Sequence, residues 1–117
     1  MNLRPSAFGF LSALAACSVP DTGDPCTTEL RASVQLLVVP DQEAAPDLTL
    51  TYTVDGGPEA PCTWVATGEA VCGFEETGAF VITATASGYG AATFSAEVVA
   101  GTCHVETVQG ELTLAPE

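Results

Sequence analysis

With 117 residues the chain has room for one small domain, whose modest core would gain from covalent help outside the cell. Fifteen Asp and Glu stand against Arg4 and Arg31, with no lysine, for a formal charge of −13. That balance excludes a nucleic-acid partner, because phosphate binding needs basic side chains to displace counterions, and it disfavours adsorption to an anionic membrane surface.

The first element is an address. "MNLR" carries one positive charge, and "PSAFGFLSALAA" follows with twelve uncharged, small or apolar residues. A bilayer core of ~30 Å takes about 20 helical residues to cross, so this run is too short to span. It suits the apolar region of a secretory signal, which ends in small side chains. Those are Ala15 and Ala16, preceded by Leu14 and followed at once by Cys17. The stretch Leu14-Ala15-Ala16-Cys17 resembles the lipobox of bacterial lipoprotein signal peptides. The resemblance implies cleavage before Cys17, a diacylglycerol on its thiol and acylation of the new amino group; several acyl chains anchor far more firmly than one. Ser18 after the cysteine implies delivery to the outer membrane. The expected organisation is a signal peptide over 1–16, a lipidated tether over 17–25 and a folded domain over 26–117. "SVPDTGDP" reads as a flexible linker. Asp21 and Asp24 within it lack the alternate carboxylates and distant Glu of a calcium loop.

Four cysteines remain: Cys26, Cys62, Cys72 and Cys103. An even number in an oxidising compartment is the arithmetic of two disulfides, with three pairings open. We favour Cys62–Cys72 as a staple across the turn at "TGE" and Cys26–Cys103 as a clamp between the ends of the domain. The competing reading is a zinc site with His104. Structural zinc sites draw ligand pairs from tight C-x₂-C knuckles, which this chain lacks, and neighbours such as Cys103 and His104 on a strand point apart. No metal or cofactor is expected.

From residue 27 onward, short alternating runs rich in Val, Thr, Phe and Tyr are broken by Gly, Pro and Asp, the signature of strands. "LRASVQLLVV" (30–39) places Leu30, Ala32, Val34, Leu36 and Val38 on one face; Leu37 and Val39 make its end apolar on both sides, which predicts cover on both. After the turn 40–47, "LTLTYTV" (48–54) sets Leu48, Leu50, Tyr52 and Val54 inward against outward threonines. "CTWVA" and "EAVCGF" join at Thr67-Gly68, and Trp64 between two cysteines reads as core packed on a disulfide. "GAFVITATA" (78–86), "AATFSAEVV" (91–99) and "VETVQGELTL" (105–114) complete seven strands at roughly ten-residue spacing. The fold class expected is all-β, a small seven-stranded antiparallel β-sandwich with two disulfides.

"GAFVITATASGY" (78–89), a Gly, an aromatic, alternating β-formers and then Gly-Tyr, resembles the signature of carboxypeptidase-regulatory-like domains, which are transthyretin-like β-sandwiches. The resemblance implies that Tyr89 packs across the turn that Gly88 permits. It also implies a non-catalytic accessory or binding module, with no shared catalytic residues to carry over.

Catalytic patterns are weak. His104 is the only histidine, and none of Ser18, Ser33, Ser87 and Ser95 lies in a G-x-S-x-G elbow. Glu75 and Glu76 in "EETG" read as a solvated turn. The expectation is therefore a non-enzymatic binding or accessory module of the bacterial cell envelope. It would be anchored to the membrane through a lipid on Cys17, with an envelope protein or a glycan as partner. The alternatives are a purely structural envelope component and, behind it, a small hydrolase or metal-binding protein. Exposed aromatics such as Tyr52 and Trp64 would favour binding; a bare surface of Thr and Glu would favour the structural role.

Overall fold

The computed structural model describes residues 26–117, so Cys17, the expected signal peptide and the tether lie outside the described residues. Eight strands follow one another: β1 (Ala32–Val39), β2 (Thr49–Val54), β3 (Ala60–Pro61), β4 (Thr63–Ala66), β5 (Glu69–Phe74), β6 (Gly78–Thr85), β7 (Ala92–Val98) and β8 (Val108–Thr113). They form two four-stranded sheets, ordered β4-β5-β1-β8 and β3-β2-β6-β7.

Alternation decides which side chains meet between the sheets. Val34, Leu36 and Val38 of β1 are buried, as are Ala70 and Cys72 of β5 and Leu112 of β8. Leu50, Phe80, Ile82, Ala84 and Val98 face them from the second sheet and close one continuous core. Burying a side chain such as Phe80 or Ile82 contributes roughly 1.5–3 kcal/mol. Tyr52 stacks on Phe80 with ring centroids 5.5 Å apart.

Three features differ in detail from the expected strand plan. The run expected to begin at Cys62 is split: Ala60–Pro61 pairs with β2 in one sheet, and Thr63–Ala66 pairs with β5 in the other, so the chain changes sheet at Cys62. This adds an eighth strand. The β1–β8 pair is parallel, Val34 opposite Val108 through Val39 opposite Thr113, while the other strand pairs are antiparallel. Both β1 and β8 start from the same end of the sandwich, β1 after the segment 26–31 and β8 after the loop 99–107, so they must run the same way. Finally, Leu37 and Val39 are covered on neither count expected of them: they stand 54% and 47% exposed on the outer face of the first sheet.

Both disulfides pair as favoured from the sequence. Cys26–Cys103 closes a separation of 77 residues and Cys62–Cys72 one of 10. Cys62 sits one residue before Thr63, which lies opposite Val71, so its bridge staples the β4–β5 hairpin where the chain crosses between sheets.

Candidate functional site

Polar side chains converge most densely at the end of the sandwich where the chain enters β1. β5 stops at Phe74, and Glu75 takes a left-handed backbone with φ of 55°. Its N–H donates to the Arg31 carbonyl at 2.9 Å, which turns its side chain back over the start of β1. There Glu75 Oε2 accepts from the Arg31 N–H at 2.9 Å and from His104 Nδ1, and Oε1 accepts from the Val105 N–H at 3.1 Å. Donation from the Arg31 N–H, then from the His104 ring and the Val105 N–H, holds the Glu75 carboxyl below the usual glutamate range.

With Nδ1 turned to Glu75, the other ring nitrogen, Nε2, lies 3.1 Å from the Thr27 hydroxyl. Next to it the Arg31 guanidinium bonds Glu29 at 2.7 Å and lowers that carboxyl in turn. The Glu75–Glu76 turn, expected to be solvated, is exposed at Glu76 and is also tied down by hydrogen bonds. Ser33, fully buried, donates to the Glu76 carbonyl at 2.8 Å and accepts from the Glu76 N–H at 2.9 Å, and Tyr52 donates to Glu76 Oε1 at 3.1 Å.

A hydroxyl, an imidazole and a carboxylate in this order could in principle activate the hydroxyl, the logic of a nucleophilic triad. Such chemistry also needs free N–H donors aimed at a developing oxyanion. The N–H groups of Arg31 and Val105 are both spent on Glu75 itself. The arrangement acts as a joint that fastens segment 26–31 to the loops at 75–77 and 103–105, beside the Cys26–Cys103 bridge.

The structure thus brings four expected residues together as two disulfides, and their sulfurs are consumed there rather than offered to a metal with His104. Among the described residues no group of three or more His, Cys, Asp or Glu is placed to hold a metal ion. Trp64 and Tyr52 are half-buried and pack on the core. The sequence reading missed the Thr27–His104–Glu75 chain, although a signal for part of it was present. Thr27 follows Cys26 and His104 follows Cys103, so the favoured pairing already placed the two side chains side by side.

A second feature lies on the outer face of the first sheet. A shallow cavity of about 240 Å³ is lined by Gln35, Leu36, Leu37, Glu69, Gln109 and Gly110. Gln109 Nε2 donates to Gln35 Oε1 at 3.0 Å along one wall. No protein-family model matches this chain, and neither a curated protein nor a solved structure matches it.

Proposed function

We propose that this protein is a lipid-anchored, non-enzymatic module of the bacterial cell envelope, tethered through Cys17 and presenting the β-sandwich 26–117 to a partner. The observation that carries the reading is the Cys26–Cys103 bridge together with the joint beside it. Disulfides form and persist in oxidising compartments, where lipoproteins are delivered. The bridge also lies where the proposed tether would join the domain, so pull on the anchor would be borne by a covalent bond rather than by β1. Leu14-Ala15-Ala16-Cys17 supplies the anchoring signal. The resemblance of "GAFVITATASGY" to carboxypeptidase-regulatory-like domains belongs to the same proposal. It is supported by Gly88 at φ of 83° and by Tyr89, half-buried against the core.

A purely structural role is the second reading, and one observation favours it. Tyr52 and Trp64, the aromatics that could have formed a recognition patch, pack on the core. The anchor is tested by the intact mass of protein purified from its native cell, before and after reduction. A mass starting at Cys17 with added acyl chains and gaining four hydrogens on reduction, two for each of the two disulfides, is expected. A mass that retains Met1 and carries no lipid would remove the anchor from the proposal.

A further inference from the structure

We propose that the outer face of the first sheet around Leu37 binds an extended segment of a partner protein that carries lysine or arginine on one side. This deepens the binding-module reading by naming the chemistry of the partner.

The burial alternation of β1 turns Leu37 outward, and its neighbours are fixed by register: Glu69 of β5 lies opposite on one side and Glu111 of β8 on the other. An exposed leucine therefore stands between two carboxylates in a single row across three strands. Neighbouring strands are about 4.8 Å apart, so the two glutamates sit about 10 Å from each other. The cavity lies against this row, its far wall made by the Gln35–Gln109 amide pair. The apolar surface continues along the strand to Val39 and is extended by Val65 on β4, 54% exposed.

Nothing within the domain answers this charge. Arg31 is the only lysine or arginine among the described residues, and it is held by Glu29, before β1 begins rather than near its end. A second copy of the chain would bring the same glutamates and the same negative net charge to the contact. A lysine or arginine side chain fits both properties of the surface: its aliphatic stem covers Leu37 while its head reaches a carboxylate. In an extended segment, alternate residues share one side about 7 Å apart, within reach of both glutamates for such long side chains. The Gln35 and Gln109 amides remain to bond the segment's backbone.

The test uses the purified, disulfide-bonded protein and a nine-residue synthetic peptide of alternating lysine and threonine, with a glutamate–threonine peptide as comparator. Binding is followed by amide chemical shifts and by calorimetry at two salt concentrations. The expected result is salt-sensitive binding of the lysine peptide alone, with shifts centred on Leu37, Glu69 and Glu111. Glu69→Gln/Glu111→Gln should weaken it about three- to ten-fold, as two exposed ion pairs allow. Glu97→Gln/Glu106→Gln makes the same charge change elsewhere on the surface, on β7 and in the loop 99–107, and should weaken it less than about two-fold. Leu37→Ser should weaken binding without altering its salt dependence. Absence of binding, shifts at another face, or equal weakening by both double variants would overturn the proposal. So would a dimer, seen by sedimentation, that Leu37→Ser dissolves, since the occupant would then be a second copy. These outcomes do not depend on the lipid, so a failed anchor and a failed docking face are distinguishable.

Discussion

Single atoms set the tightest constraints in this molecule. The ring of Phe94 on β7 lies against Gly110 on β8 and closes the gap between the edge strands of the two sheets; a Cβ at Gly110 would stand 2.5 Å from Phe94 Cε1. Gly110→Ala should therefore lower stability by about 1–3 kcal/mol, the usual cost of overpacking, read from urea midpoints. In a Phe94→Leu background the same substitution should cost markedly less; equal costs in both backgrounds would show that the ring is not what excludes the methyl. Glu75 supports a prediction in pH. Its folded carboxyl is held low by the Arg31 N–H, then by the His104 ring and the Val105 N–H, so it contributes stability above the ordinary glutamate value. That contribution is lost as pH falls through the depressed folded value. Glu75→Gln should accordingly be less stable than the parent at pH 7, and the gap between them should shrink below about pH 4.3, the ordinary glutamate value. Parallel curves from pH 7 to 3 would mean that the carboxylate is not linked to folding.

At the scale of elements, the strands were legible because the chain alternates cleanly. Thr49, Thr51 and Thr53 against Leu48, Leu50, Tyr52 and Val54 fix the face and extent of β2 almost without reference to its neighbours. The disulfides were legible for a similar reason, since Cys62 and Cys72 flank a short turn and the other two cysteines lie near the domain's ends. What alternation does not encode is which strands become neighbours. The parallel β1–β8 pair depends on where the loop 99–107 delivers the chain, and the exposure of Leu37 reflects that no element among the described residues crosses the outer face above it. The polar joint was hidden because it assembles Thr27, Glu75 and His104 from three loops with no local motif. Element placement also separates the bridges in reactivity. Cys26 is exposed, whereas Cys72 is fully buried under the sheet and its partner Cys62 is half-buried. Graded dithiothreitol followed by alkylation and peptide mass mapping should open Cys26–Cys103 at least about ten-fold faster than Cys62–Cys72, because exchange needs access to sulfur. Simultaneous opening would indicate that reduction proceeds only through global unfolding. Loop-closure entropy assigns the outer bridge about 4.5 kcal/mol and the inner about 2.8, so early opening removes the larger constraint.

The whole molecule is an acidic shell around an apolar core, and its electrostatics pull in two directions. Thirteen carboxylate side chains of the domain 26–117 face a single arginine, so like charges repel across most of the surface. Against this stands one local attraction between opposite charges, Glu29 with Arg31. Salt weakens both kinds of interaction, and the sign of its effect on stability shows which prevails. An exposed pair such as Glu29–Arg31 is a weak attraction, and the Glu75 carboxylate keeps its bonds to backbone N–H groups whatever the ionic strength. The repulsion is spread over many pairs at longer separations, the interactions that screening removes first. Raising sodium chloride from 10 to 150 mM shortens the Debye length from about 30 to about 8 Å, less than the width of the domain. Thermal stability at pH 7 should therefore rise over that range and then level off. Each 1 kcal/mol gained corresponds to about 4–8 °C in Tm for a domain of this size. A falling Tm would assign the larger share to the Glu29–Arg31 pair. Repeating the titration on Glu29→Gln decides between the two: if repulsion dominates, the variant gains at least as much from salt as the parent, because it keeps most of the repelling surface and lacks the pair that salt would weaken.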